Sequence, residues 1–572
     1  MVVQALEQIA DHIPEEIVGK SGGSSLADAD RIKHVADIVL GQYDGIKRVG
    51  VVVSAPGVRN YIKGDKKITD LLVDLANEWK QAKDDGYRQS ILDRNPIIQR
   101  LTEITNALGL ERKLLKNGQE IDYSNYIRNE IEWRLNQFGK LSDNKYMALA
   151  EATGEFLMAH IFADYLTTLG QNVRLLLPEE NKLFLEGKIR NATVPRDSIP
   201  NHKKALDSIE KDTIVVEPGF YGVYRDENGE VQKLESWDGS DRYVLATLRR
   251  GGSDITGMLL AAGFSELRKE RPSGKLLFYD NYTDRPGIAV INPDLEGEDA
   301  VAYSSTMRPR DAMQITKSGD TVMVSAAMSI GLEYGVRTRV RSTFKCDDDK
   351  KPIKGKDGKW VLDFDTSNKG TLIYEGCDYG ANINPDVVGI AYKGDLVFLE
   401  YTGHNAKRIM SRLKELIEGY GRQYGETEVE VSQEDVVSSS TLVTDFKIGE
   451  TDVMTPEKRI NILELAKQTL RSEFQLTTLL EQYNNVSQVT IVGPGVNKSE
   501  LKSRIYGALG INTLYDIAPG RSNTLALGFR EDPANSLNLA QLVTRRINSV
   551  LFNNRTAENT VKIISSSSAE EL

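Results

Sequence analysis

Two architectures in tandem are predicted: a three-layer α/β domain with a mainly parallel sheet, then two smaller α+β units of the ferredoxin type. Three observations predict them. Short β-branched runs such as Arg48–Ser54 and Thr213–Val223 alternate with helical periodicities, the pattern of a sheet covered on both faces. Glycine-rich turns follow several of these runs, at the strand ends where open α/β sheets bind ligands. Beyond Gly370 the pattern changes to strand, helix and paired strands, and it occurs twice.

In order along the chain, residues 1–16 carry the spacing of a short amphipathic helix (Val3, Leu6, Ile9, Ala10, Ile13). A strand at Ile17–Gly19 then runs into Lys20-Ser21-Gly22-Gly23-Ser24-Ser25 and a helix over 27–40. Strand, glycine loop and helix is an arrangement that holds phosphate on backbone amides. It is not a Walker A loop, since the lysine precedes the glycines. Arg48–Ser54 predicts a buried central strand that ends in Ala55-Pro56-Gly57, and Thr69-Asp70 opens a helix through Lys80. Residues 80–140 form a charged helical excursion. A helix over 144–169 carries Gly154-Glu155 in its middle, where glycine costs roughly 1 kcal/mol against alanine and implies a packing or ligand reason. Asp226–Glu230 is a hairpin turn. The run Tyr243–Leu248 leads to Arg249-Arg250-Gly251-Gly252-Ser253-Asp254 and an apolar helix: two glycines between strand and helix, a guanidinium fork and a hard oxygen ligand. Strands follow at 275–279 and 336–341, with a helix over 310–331 between them.

Residues 345–372 form a charged insertion or linker. The first α+β unit with its connecting helix spans 373–484: strands at 386–392, 396–401, 428–431 and 441–445, helices at 406–420 and 456–483. The second spans 485–556, with strands at 487–492, 513–517 and 523–529 and helices at 499–509 and 534–552. Residues 557–572 have the composition of a disordered tail.

Lys plus Arg number 72 against 83 Asp plus Glu, a net charge of −11, which gives no electrostatic reason to expect nucleic acid or an anionic membrane as partner. The apolar runs are too short to span a bilayer, and the first twenty residues lack a basic n-region, which predicts a cytoplasmic protein without a secretory signal. Cys346 and Cys377 form no CxxC, so neither a disulfide framework nor a cysteine zinc site is expected.

Taken together, these stretches resemble aspartate kinases of the amino-acid kinase superfamily. Lys20–Ser25 is similar to that family's K-F-G-G-T/S-S, and Val51–Gly57 to its VVVSA(P)G turn. Lys67–Leu72 resembles K-V/I-T-D/N-L-L, Gly154-Glu155 its G-E, and Arg250–Asp254 its R-G-G-S-D. Thr283-Asp284 through Gly287 to Asn292-Pro293 resembles the nucleotide loop T-D-x-x-G-I/V-x3-D-P, and the paired α+β units resemble tandem ACT domains. The resemblance implies MgATP-dependent phosphorylation of the β-carboxylate of L-aspartate, the first step of lysine, threonine and methionine biosynthesis. It implies Lys20 and Asp254 as catalytic residues, with Asp254 holding Mg²⁺ or ordering Lys20. Ser54, Thr69, Glu155 and Arg250 would contact aspartate, Arg250 on its α-carboxylate and Glu155 on its ammonium. Lys20, Gly22, Gly23, Ser24, Gly251, Gly252, Ser253, Thr283, Asp284 and Gly287 would face ATP. The ACT-like units imply a lysine or threonine effector, touching Ser438, Ser439 and Thr441 in the loop Val437–Thr441, and assembly as a homodimer or tetramer.

The sequence also departs from that pattern. Asp294 stands where the family has an arginine after D-P, and Thr321 where it has the lysine of F-G-A-K; Lys317, Arg308 or Arg310 is expected to compensate. These departures keep two alternatives open: a catalytically degenerate amino-acid sensor or partner subunit, and a kinase of the same fold for another small acid.

Overall fold

The computed structural model describes residues 16–249, 251–270, 277–285, 287–288, 304, 306–317, 323–345, 353–355, 359, 361–362 and 370–377. Beyond these it describes 387, 389–402, 405–423, 428–436, 439–448, 452–453, 456–474, 481–496, 498–509, 515–517 and 524–530. The helices predicted at 1–16 and 534–552 and the tail 557–572 lie outside the described residues. The chain divides into two compact units, one drawn from 1–288, 305–309 and 322–377, the other from 289–304, 310–321 and 378 onward.

The first unit is built on an eight-stranded sheet. Its order is Thr306–Met307, Thr371–Ile373, Arg337–Ser342, Leu277–Thr283, Glu16–Ser21, Arg48–Val53, Ile214–Pro218 and Val173–Leu175. Every pairing is parallel except that of Thr371–Ile373 with Arg337–Ser342. Val51, Val52 and Val53 are buried on both faces, as expected of a β-branched strand with helices above and below. The strand Thr371–Ile373 belongs to this sheet, so the unit continues past residue 344, through part of the segment read from sequence as a linker.

The excursion 80–140 holds the helices Asp85–Asp93, Pro96–Ala107 and Tyr123–Leu135, plus a small hairpin of Arg112–Leu114 with Glu120–Asp122. The single helix predicted over 144–169 is two, Asp143–Glu151 and Thr153–Thr168, broken at Ala152. Gly154 therefore sits in the first turn of the second helix, and a Cβ there would lie 2.7 Å from the Cβ of Ala55. The run 213–223 is also two strands, since Pro218-Gly219 turns the chain into a separate four-stranded sheet through Tyr221–Tyr224. The helix predicted over 310–331 appears as Pro309–Lys317 and Ser325–Glu333.

The second unit has one antiparallel sheet in the order Glu428–Val436, Ser439–Ile448, Gly389–Thr402, Glu481–Val492, Thr524–Arg530, Tyr515–Ile517, with Asp452–Val453 beside Ser439–Ile448. The order is palindromic: each half contributes an inner first strand and an outer hairpin. The two strands predicted at 386–392 and 396–401 are one strand of 14 residues, whose register shifts around Lys393 and Leu396. Val397 and Leu399 pack with Ile409, Met410, Leu413, Ile462 and Leu463, while Val489, Ile491 and Leu527 pack with Ile505.

Candidate active site

Parallel strands deliver several of the candidate segments to one edge of the sheet. Glu16–Ser21, Arg48–Val53, Ile214–Pro218 and Leu277–Thr283 end together, and the segments 22–25, 54–57, 219–220 and 284–285 follow them. Lys20 pairs in register with Val52 on one side and Asn281 on the other.

Lys20 is buried, and its Nζ lies 2.7 Å from Oδ1 of Asp254 and donates to Oδ1 of Asn281 at 3.3 Å. The contact with Asp254 is an ion pair without good hydrogen-bond angles. Two segments distant in sequence, 20–25 and 251–254, thus converge. Gly251 turns the chain at φ +78°, and a Cβ there would lie 2.2 Å from Cγ1 of Val324, so only glycine fits. The helix Gly252–Glu270 starts immediately, with Ser253 and Asp254 buried in its first turn. The amide of Val324 donates to Oδ2 of Asp254 at 3.3 Å.

The glycine turn differs in one respect from expectation. The Gly22 amide donates to the carbonyl of Tyr282 at 3.2 Å and so is not available to a phosphate in this conformation. The Gly23 carbonyl accepts from Gly57 N at 2.8 Å, which turns the Ser24 amide, across the same trans peptide, to the opposite side. Ser24 and Gly23 are half-buried. Gly57 packs directly on this turn: a Cβ there would lie 2.5 Å from the carbonyl carbon of Gly23.

Glu155 is buried, and its Oε2 has no hydrogen-bond partner. Desolvation pushes its carboxyl up to about 8, against hydrogen bonds from backbone including Ala55, with Glu151 adding repulsion. Glu155 therefore shares the Ala55–Gly57 turn with Gly23. Ser54 donates its amide to Ser21 O at 3.2 Å, and Thr69 is half-buried in the first turn of the helix Ile68–Gln81. Thr283 ends its strand with Oγ1 accepting from Arg285 N at 2.8 Å; Asp284 is half-buried, and Gly287 is buried beside Thr371.

Arg250, Asp294, Thr321 and Ser438 lie outside the described residues. Arg308 is half-buried and Arg310 exposed. Ser439 and Thr441 are not loop residues: they sit in the strand Ser439–Ile448, in register with Thr402 and Glu400. Sequence inspection missed Asn281 and the Val324 amide, which depend on tertiary register and leave no local pattern.

For Mg²⁺, no group of three or more His, Cys, Asp or Glu side chains able to hold a metal occurs among the described residues. Asp254 is already paired with Lys20. A single carboxylate of this kind suits an ion whose other ligands are phosphates and water. No helix among the described residues is long and apolar enough to cross a membrane.

Compared with known proteins, the chain is 27% identical over 327 residues to Aspartokinase 3 of Bacillus subtilis (strain 168), covering 57% of this chain and 61% of that relative. It is 27% identical over 288 residues to the Lysine-sensitive aspartokinase 3 of Escherichia coli K12, covering 49% and 51%. The chain thus spans between about half and three-fifths of the length of these two curated relatives. In fold it is similar to Clostridium acetobutylicum aspartate kinase, with a TM-score of 0.60 and 22% identity over 94% of this chain and 100% of that one. It is likewise similar to E. coli aspartokinase III in complex with aspartate and ADP, with a TM-score of 0.62 and 19% identity over 94% and 99%. The sequence profile of the amino acid kinase family matches residues 15–342, more than half of the chain, and the chain belongs to that family.

Proposed function

We propose that this chain is an aspartate kinase, transferring the γ-phosphoryl group of MgATP to the β-carboxylate of L-aspartate. The observation that carries the proposal is the Lys20–Asp254 pair at the strand ends, together with a buried carboxylate, Glu155, that has an oxygen without a partner. An aspartate carboxylate, with a pKa of about 3.9, is ionised at neutral pH and needs no general base. Its oxygen attacks the γ-phosphorus, the bond to the bridging oxygen breaks, and ADP leaves with the electron pair. The barrier is one of charge and position. Lys20 supplies the cation at the transferring group, and Asp254 and Asn281 keep its amine in place. The Ser24 amide adds a donor. Glu155 receives the substrate ammonium, which relieves its desolvation, and Arg250 takes the α-carboxylate. Ser54 and Thr69 are further substrate contacts; Gly251, Gly252, Ser253, Thr283, Asp284 and Gly287 line the nucleotide. Mg²⁺ bound to the triphosphate offsets charge on the phosphate oxygens.

Feedback by an amino acid, lysine or threonine, through the second unit, and a homodimeric or larger assembly, belong to the same proposal. A solved E. coli aspartokinase III in complex with lysine and aspartate, similar in fold at a TM-score of 0.57, supports the lysine arm. A coupled ADP-release assay with aspartate, with glutamate and with no acceptor tests the activity. Turnover with aspartate alone is expected, and Lys20→Ala should lower kcat by about 10²- to 10³-fold. Lysine binding without turnover would instead favour the sensor, and turnover only with another acid would favour a different kinase.

A further inference from the structure

We propose that Arg100, from the helical excursion, is a positioning residue that sets the spacing of the two glycine turns at the phosphoryl end of the site. This rests on the function proposed above and adds a residue from a segment to which no role was assigned.

Arg100 lies in the helix Pro96–Ala107, whose start is fixed by Pro96 and by Asn95 Oδ1 accepting from Ile97 N at 2.9 Å. The side chain is 3% exposed. Its guanidinium donates to three backbone carbonyls from three segments. Nη2 reaches Ala27 O at 2.7 Å and also Gly57 O, and Nη1 reaches Lys66 O at 3.1 Å. Ala27 follows the short 3₁₀ turn Gly23–Leu26, and Gly57 closes the Ala55–Gly57 turn on which Glu155 rests. The two turns touch through Gly57 N and Gly23 O. Arg100 holds that contact from behind, as a rigid fork with fixed angles.

The loop between Gly57 and the helix Ile68–Gln81 is tied to the same point. Asp65 Oδ2 lies 3.4 Å from Arg100, and Asp65 also accepts from the backbone and guanidinium of Arg59 at 2.7 to 3.2 Å. At its other end Asn60 accepts from Arg31, a second buried arginine, which donates to Ser24 O at 2.7 Å and stacks over Phe344. Burial lowers the Arg100 guanidinium to about 10, so it stays charged at neutral pH. A buried cation with one carboxylate at 3.4 Å is a weak source of stability. What it supplies is a fixed geometry for three carbonyls.

The test compares Arg100→Lys, Arg100→Met and Asp65→Asn with the wild-type full chain, each assayed well below its own melting temperature. If Arg100 positions the turns, kcat falls about 100-fold in Arg100→Met and about tenfold in Arg100→Lys, while the aspartate KM stays within about twofold. Asp65→Asn falls less, in the same split. A kcat equal to wild type in Arg100→Lys, or losses that only track the folded fraction, would overturn the proposal. If Arg100→Met does not fold, Arg100→Lys and Asp65→Asn decide by the same criteria. If the wild-type chain itself fails to turn over aspartate, the function proposal fails, and MgATP affinity by calorimetry becomes the readout. Weakening of about tenfold in Arg100→Lys then supports positioning, and unchanged affinity overturns it.

Discussion

Glu130 and Glu155 are both buried carboxylates of the first unit, and their surroundings differ completely. Glu130 Oε1 accepts from Arg134 and Arg242 at 2.7 and 3.0 Å, and its Oε2 from Arg242 and Trp237 at 2.9 and 3.1 Å. Arg242 also pairs with Asp238, and both guanidiniums stack on Phe156, the residue next to Glu155. Glu155 has backbone donors on one side only and an oxygen with no partner. A saturated carboxylate fixes a fold, here the packing of the helix Tyr123–Leu135 on the strand of Arg242. An unsaturated one carries a desolvation cost, which the substrate ammonium proposed above would relieve.

The sharpest way to break this contrast is Glu130→Ala, which leaves Arg134 buried without its carboxylate and Arg242 with Asp238 alone. We expect a loss of about 3–5 kcal/mol in denaturant unfolding, with the aspartate KM of the remaining folded enzyme little changed. A KM that rises tenfold would show that Glu130 also serves the site.

Glu155→Gln should behave in the opposite sense. The folded carboxyl titrates at about 8, above its ordinary value, so between the two values the folded state holds a proton that the unfolded state has lost. Stability from this group is therefore complete below about pH 4.5 and falls as pH rises to about 8, by at most about 1.4 kcal/mol per pH unit. Glu155→Gln removes that slope and should gain about 3–4 kcal/mol on wild type between pH 5 and pH 8. Aspartate binding at pH 7 should release protons from wild type and none from the variant, measured by calorimetry in buffers of different ionisation enthalpy.

The smallest expected effect is at His202, whose Nε2 meets Glu217 Oε2 at 3.1 Å in a fully buried contact completed by Asn181. Burial opposes its charge, but the Glu217 carboxylate outweighs it and raises the imidazole above its ordinary value. The resulting stability is complete below about pH 6.5 and lost as pH rises through the folded pKa. The advantage of wild type over His202→Gln in unfolding free energy should shrink as pH rises from 6 to 9. An unchanged difference would place His202 among merely packed residues.

Much of this site was legible because its chemistry is local in sequence. Lys20 with its glycines, the turn after Val53 and Gly251 to Asp254 are each a strand end with the residues that a phosphate or carboxylate needs. The rest depends on register and packing. Lys20 meets Asn281 only because two parallel strands align, and Arg100 acts on carbonyls, which carry no side-chain pattern. Ala152 breaks a helix whose periodicity continues on both sides, so the close approach of Gly154 to Ala55 reads as a mid-helix glycine. Lys393-Gly394-Asp395 has the composition of a turn, but a shift of register absorbs it within one long strand.

The palindromic sheet of the second unit has a practical corollary for any test of the proposed feedback by deletion. Gly389–Thr402 is held along most of its length by Glu481–Val492. Cutting the chain after Phe474 would strip that neighbour away and leave a long apolar ribbon with an open row of amides and carbonyls. Such a truncation exposes a self-adhesive surface, and point changes within an intact sheet are the sounder test of the proposed regulation.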